Sequence, residues 1–191
     1  MLDIIQHFDE SLLLWLNGFN SPTADVIMWH ISGKFQWIPF YLLLLYLLVR
    51  KFRKNSWMLI IAILITFILT EQASNLIKVL IQRPRPSHNS ELEGLLHFVN
   101  NYRGGQFGFV SSHAANTFGL ATIVSLIFRN KTWVVAMFLW ASIVAYSRIY
   151  LGVHYPTDIL CGAALGILIA FMVYRGLKLI ESKKATVVQR P

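Results

Sequence analysis

Ser147-Arg148-Ile149-Tyr150-Leu151-Gly152-Val153-His154-Tyr155-Pro156-Thr157-Asp158 lies between two apolar runs, roughly 133–150 and 156–180. Runs of that length match a membrane-crossing helix, which takes about 20 apolar residues. The stretch therefore sits at a membrane surface and joins two spans. It carries an arginine, a histidine and an aspartate with nothing else charged between them. Pro156 suits the first turn of a helix, where its missing N–H costs nothing. With a helix starting there, His154 and Asp158 stand one turn apart and can meet on one face. A carboxylate beside an imidazole fixes its tautomer and stabilises its cation. Arg148 offers a planar fork to two phosphate oxygens. Taken alone, the stretch fits a surface loop with a capping aspartate equally well, so the rest of the chain decides.

Of the 191 residues, 55% are hydrophobic and 14% charged, against about 25% charged in soluble domains. Mean hydropathy is +0.54. The fold class expected is all-α, a polytopic membrane helix bundle forming one domain over 1–191. Cys161 is the only cysteine, which excludes an internal disulfide and suits a packing role. The N-terminus carries Asp3, Asp9 and Glu10 in place of a signal peptide's basic region. The spans themselves are therefore expected to insert the chain.

Residues 1–18 read as an amphipathic helix, with Ile4, Ile5, Phe8, Leu12, Trp15 and Leu16 opposed to Asp3, Asp9 and Glu10. Asn17-Gly18 ends it. Ser21-Pro22 opens a second short helix with Ser21 as N-cap. Both pieces, within 1–32, are expected to lie along the interface; their fusion into a kinked sixth span is the alternative. Five spans follow in the catalytic region 35–181, at about 35–49, 57–81, 112–128, 133–150 and 156–180. The loops at 50–54 and 129–131 and the tail from Arg175 to Arg190 hold 11 of the 17 Lys and Arg residues. The positive-inside rule makes that side cytoplasmic. The net charge of +8 thus reflects topology, and no nucleic-acid motif is present. Lys78, Arg83, Arg85, Arg103 and Arg148 fall on the other side, where binding an anion gives them a reason to be.

Three stretches meet at that outer face. Glu71, Asn75 and Lys78 share one helix face, and polar groups inside a span usually mark function. Pro84 and Pro86 break the helix, which lets Arg85 turn back toward Lys78. Arg83 either follows it or faces lipid headgroups, the second being preferred. Val110-Ser111-Ser112-His113 opens the next span with Ser111 as N-cap, and a helix N-terminus is an anion site. His113 can give a proton to a group bound there, and Asn116 either orients it or packs between helices. The third stretch supplies Arg148, His154 and Asp158. Phosphoryl transfer needs positioning and electrostatic stabilisation, with a nucleophile and an acid on opposite sides of phosphorus. An aspartate-backed histidine suits the nucleophile and a second histidine the acid. No cluster has metal-ligand spacing, and no cofactor is expected.

Lys-x6-Arg-Pro at 78–86, Ser-x-His at 111–113 and Ser-Arg-x5-His-x3-Asp at 147–158 resemble the three-part signature of the type 2 phosphatidic acid phosphatases. These are the lipid phosphate phosphatases of the vanadium haloperoxidase superfamily. The resemblance implies metal-independent hydrolysis of a lipid phosphate or diphosphate through a phosphohistidine. By it, His154 attacks phosphorus, Asp158 orients it and His113 protonates the leaving oxygen. Lys78, Arg85, Ser111, Ser112 (through its N–H) and Arg148 hold the phosphate. Ser112 and Val110 depart from the family's glycine and proline. Substrates implied are undecaprenyl diphosphate, phosphatidylglycerol phosphate, phosphatidate or a lipid A phosphate, on the extracytoplasmic side of a bacterial membrane. The 82–108 loop and the N-terminal helices are the expected shapers of selectivity. Two alternatives carry their own tests: a phosphotransferase would pass phosphate to an added alcohol, and a non-catalytic anion binder or transporter would survive His154→Ala.

Overall fold

The computed structural model describes residues 2–188, with side chains from 6 to 182. The side chains of Asp3, Ile4, Ile5, Lys183 and Lys184, and all of Arg190, lie outside the described residues. Seven α-helices follow in order: α1 (Leu2–Asn17), α2 (Pro22–Ser32), α3 (Ile38–Phe52), α4 (Ser56–Ile81), α5 (Ser112–Phe128), α6 (Lys131–Tyr150) and α7 (Pro156–Val188). Among the described residues there is no strand, only an isolated bridge between Pro84 and Phe107. Among the described residues, three stretches are long and apolar enough to cross a membrane: Phe35–Ile81, Lys131–Tyr150 and Pro156–Ser182; the apolar α5 is shorter. The first holds both α3 and α4. The chain reverses at Arg53–Asn55, so Tyr41 and Leu44 of α3 line the same cavity as Ile63, Leu64 and Phe67 of α4.

α5 is the centre of the bundle, packed on α4, α6 and α7. Eleven of its 17 residues are buried, which explains its apolar circumference. α4 buries one narrow face, Ser56, Leu59, Ala62, Thr66, Thr70 and Ser74, at three- and four-residue steps. Its remaining apolar side chains, Leu64, Phe67, Ile68 and Leu76 among them, point outward, as lipid-facing residues do. α5 and α7 approach more closely than side chains would allow. A Cβ on Gly166 would stand 2.1 Å from the Ala115 carbonyl oxygen, and one on Gly162 would stand 2.5 Å from that of Ser111. Small residues four apart let two membrane helices touch through their backbones.

The basic segments gather at one end of the bundle. Lys51 donates to the Phe128 carbonyl at 3.3 Å, and Arg129 donates to the Tyr174 hydroxyl at 2.9 Å. α1, α2 and the 82–111 segment cover the opposite end. Asn17 joins α1 to α6 and to that segment: its amide donates to the Tyr150 and His97 carbonyls at 2.7 and 3.0 Å and accepts from the His97 N–H at 2.8 Å. Ser21 caps α2 as expected, accepting from the Ala24 N–H. α1 and α2 are separate helices and do not fuse into a sixth continuous one.

The polar face of α1 is not turned to solvent at Asp9. Phe8 and Trp15 are 65% and 63% exposed, whereas Asp9 is 0% exposed. Asp9, Leu13 and Asn17, spaced by four, form the face turned to the protein. An exposed apolar face suits an element whose surroundings are lipid, and a charge is tolerated inside because a cation meets it there. The 82–108 loop is likewise more than solvated chain: Leu92, Leu96 and Val99 are buried, and Asn89 donates to the Tyr155 hydroxyl at 3.2 Å.

Candidate active site

The turn between α6 and α7 is almost wholly buried, with His154 1% and Asp158 0% exposed. Starting α7 at Pro156 puts them four residues apart, and His154 Nδ1 lies 3.2 Å from Asp158 Oδ2. The Tyr155 N–H also donates to that oxygen, at 3.1 Å. With the proton on Nδ1, Nε2 carries a lone pair and accepts from Arg85 Nη1 at 3.0 Å. Arg85 is itself held, donating to the Phe107 and Val153 carbonyls at 3.1 and 3.2 Å. The pairing of residues 83–85 with 106–108, through Arg85 N–H to the Gln106 carbonyl and Gly108 N–H to that of Arg83, brings it there. Burial pushes the His154 imidazole well below its ordinary pKa, and Arg85, Arg148 and Lys78 add to the shift.

The opening of α5 abuts this turn through main chain: the Ser111 N–H donates to the Asp158 carbonyl at 3.0 Å. Ser111 is the N-cap, accepting from the Ala114 N–H at 3.4 Å. The Ser112 hydroxyl accepts from Lys78 Nζ and from the Ser74 hydroxyl, the latter at 2.8 Å. The residue that departs from the family glycine thus ties α5 to α4 and holds Lys78 at the site. His113 stands half-buried in the first turn of α5. Asn116 does not orient it. Its amide donates to Glu71 Oε2 at 2.7 Å and its carbonyl accepts from Thr70 at 2.6 Å, because one turn down α5 the facing group is the carboxylate of α4. Glu71 and Asn75 do share a face, 3.3 Å apart.

Arg148 is 4% exposed. Its Nη1 donates to Ser32 at the end of α2, while its buried Nε makes no hydrogen bond among the described residues. A buried, unpaired guanidinium N–H is costly unless something occupies its position. Arg83 turns neither to Lys78 nor to headgroups. It donates to Asp158 Oδ1 at 3.0 Å and to Asp9 Oδ2 at 2.7 Å. Asp9 was missed because its sequence neighbours mark it as solvated. A buried acid on an amphipathic helix, facing an RPRP arginine, is recognisable only once both elements are placed.

Residues 56–180 match the model of the PAP2 superfamily. The chain belongs to that superfamily. Two curated relatives are named lipid A 4'-phosphatase. That of Bacteroides thetaiotaomicron is 39% identical over 169 residues, covering 87% of this chain and 75% of its own. That of Porphyromonas gingivalis is 35% identical, covering 91% and 75%. Among solved structures, a PAP2-type phosphatidylglycerolphosphate phosphatase of Bacillus subtilis superposes with a TM-score of 0.70 at 23% identity, over 94% of this chain and 87% of that one. LpxE of Aquifex aeolicus gives 0.62 at 28%, over 86% and 93%. The PAP2 superfamily assignment and the helical architecture together identify a multi-pass membrane lipid phosphatase.

Proposed function

We propose that this chain releases phosphate from a lipid phosphate monoester outside the cytoplasm, without a metal ion, through a phosphohistidine at His154. Nε2 of His154 attacks phosphorus, and the bond to the lipid oxygen breaks as His113 gives that oxygen its proton. Water then attacks the phosphohistidine, His113 takes up the water's proton, and phosphate leaves with Nε2 restored. Asp158 keeps the reactive tautomer and offsets the charge that develops on the ring. Lys78, Arg85 and Arg148 and the Ser111–Ser112 end of α5 receive the phosphate oxygens. The observation that carries this reading is the buried His154–Asp158 pair, its Nε2 aimed at Arg85 and its surroundings holding a second, partly unpaired arginine. The basic segments at the far end of the bundle support an extracytoplasmic site. The relatives named for lipid A favour a lipid A phosphate as substrate.

The test is phosphate release by detergent-purified protein in EDTA, wild type beside His154→Ala. Bis-phosphorylated lipid A, undecaprenyl diphosphate, phosphatidylglycerol phosphate and phosphatidate are compared. Release from lipid A that vanishes in the variant is expected. Equal release by both proteins would overturn the histidine assignment, and loss of wild-type release in EDTA would overturn metal independence.

A further inference from the structure

The strongest feature that the three motifs leave without a role is Arg83, a variable position of the first, which stands between the site and α1. Arg83 Nη1 donates to Asp158 Oδ1 at 3.0 Å and to Thr157 Oγ1 at 2.8 Å. Its Nη2 donates to Asp9 Oδ2 at 2.7 Å and to Gln6 Oε1 at 3.1 Å. Its guanidinium lies 4.1 Å from the centre of the Tyr155 ring. Asp9 also accepts from the Thr157 N–H at 2.9 Å and from the Thr157 hydroxyl. Both carboxylates are fully buried. A buried carboxylate is tolerated only when its oxygens are satisfied, and here each set is satisfied by the same cation.

The geometry divides the work on Asp158 between its two oxygens. Oδ2 faces His154 Nδ1 and the Tyr155 N–H, and Oδ1 faces Arg83. A carboxylate held at one oxygen can swing about its Cβ–Cγ bond, and one held at both cannot. An isolated arginine would also add a full charge beside the histidine. Asp9, on the far side of Arg83, offsets it. We infer that Asp9 and Arg83 are positioning residues for the His154–Asp158 pair, and that α1 is thereby part of the active site rather than only an interfacial anchor. This rests on the phosphohistidine reading above. Neither Arg83 nor Asp9 hydrogen-bonds His154, so their effect passes through Asp158.

A double-mutant cycle tests this. Initial rates of phosphate release from bis-phosphorylated lipid A, and in parallel from phosphatidate, are measured for wild type, Arg83→Gln, Asp158→Asn and the double variant. Arg83→Gln is expected to lower kcat about 10–100-fold, as outer partners of catalytic groups do, with KM nearly unchanged. In the Asp158→Asn background the same change should cost less than about twofold, because the carboxylate it orients is gone. Arg83→Lys should recover part of the loss, and the isosteric Asp9→Asn should lower kcat by a smaller factor in the same non-additive way. Melting temperatures within about 3 °C of wild type certify folding, and Asp9→Asn serves if Arg83→Gln fails that check. Equal loss in both Asp158 backgrounds, or a rise in KM at constant kcat, would overturn the inference. His154→Ala separates the two levels. If that variant retains release, the phosphohistidine reading falls; if it is inactive while the cycle is additive, only the positioning role falls.

Discussion

At the scale of single residues, the candidate site is built from groups whose ordinary behaviour is altered by burial. His154 shows this most directly, since burial, then Arg85, Arg148 and Lys78, hold its pKa well below the usual imidazole value. The consequence for stability has a definite sign. An unfolded chain takes up a proton at this ring near pH 6.5, and the folded chain does not. The unfolded state therefore binds more protons, and stability rises with pH across that interval. His154 contributes fully above about pH 6.5, and its contribution is lost as pH falls toward the depressed folded value. Wild-type protein should lose melting temperature between pH 7.5 and 5.5, and His154→Asn should lose less, as measured by thermal unfolding in detergent. An equal loss in both would mean that the ring is not held neutral. The three motifs were legible because each pairs unusual residue types at fixed spacing: Lys78 with Arg85, Ser111 with His113, Arg148 with His154 and Asp158. The partners of Ser112 and Asn116 were not, since each bonds a residue of α4 far away in sequence.

Among the elements, the helices were readable from the alternation of apolar runs with basic loops, and their ends lie close to the expected ones. The face that α1 presents was not. The apolar side of such a helix goes inward in water and outward in lipid, and the same residues serve both cases. Arg83, placed by the Pro84 and Pro86 turn, and Thr157 at the start of α7 hold Asp9 inward. The contact between α5 and α7 was also unread, although Gly162 and Gly166 stand four apart in an apolar run, the spacing that lets helices close up. Because a Cβ at Gly166 would stand 2.1 Å from the Ala115 carbonyl oxygen, Gly166→Leu forces the two helices apart. The expected result is a loss of phosphate release of at least about tenfold, since displacements near 1 Å at a reaction centre cost up to 10². Ile167→Leu, on the exposed neighbouring position, should leave the rate unchanged. Comparable activity in the two variants would show that the seam does not set the site.

Over the whole molecule, polarity is the organising fact. Lys51 and Arg129 mark one end, and His154, Arg148 and Arg85 the other. The orientation that follows from the positive-inside rule can be checked without any substrate. In a Cys161→Ser background, Glu91→Cys and Lys54→Cys place single thiols at exposed positions of opposite ends. A membrane-impermeant maleimide should label the first variant in intact spheroplasts, and the second only after permeabilisation; the reverse pattern would put the site in the cytoplasm. Which lipid is cleaved was beyond the sequence, because the motifs describe the phosphate and not what it is attached to.

The α5–α7 seam bears on how such a protein diversifies. The placement of His113 relative to Asp158 rests on peptide groups in contact: the Ser111 N–H on the Asp158 carbonyl, and glycines against the carbonyls of Ser111 and Ala115. Side chains around the rim take little part in that spacing. Drift at those rim positions can redirect which lipid is accepted while the reacting atoms keep their places. A library randomised at the rim and spared at the seam is the natural starting point for evolving new specificities.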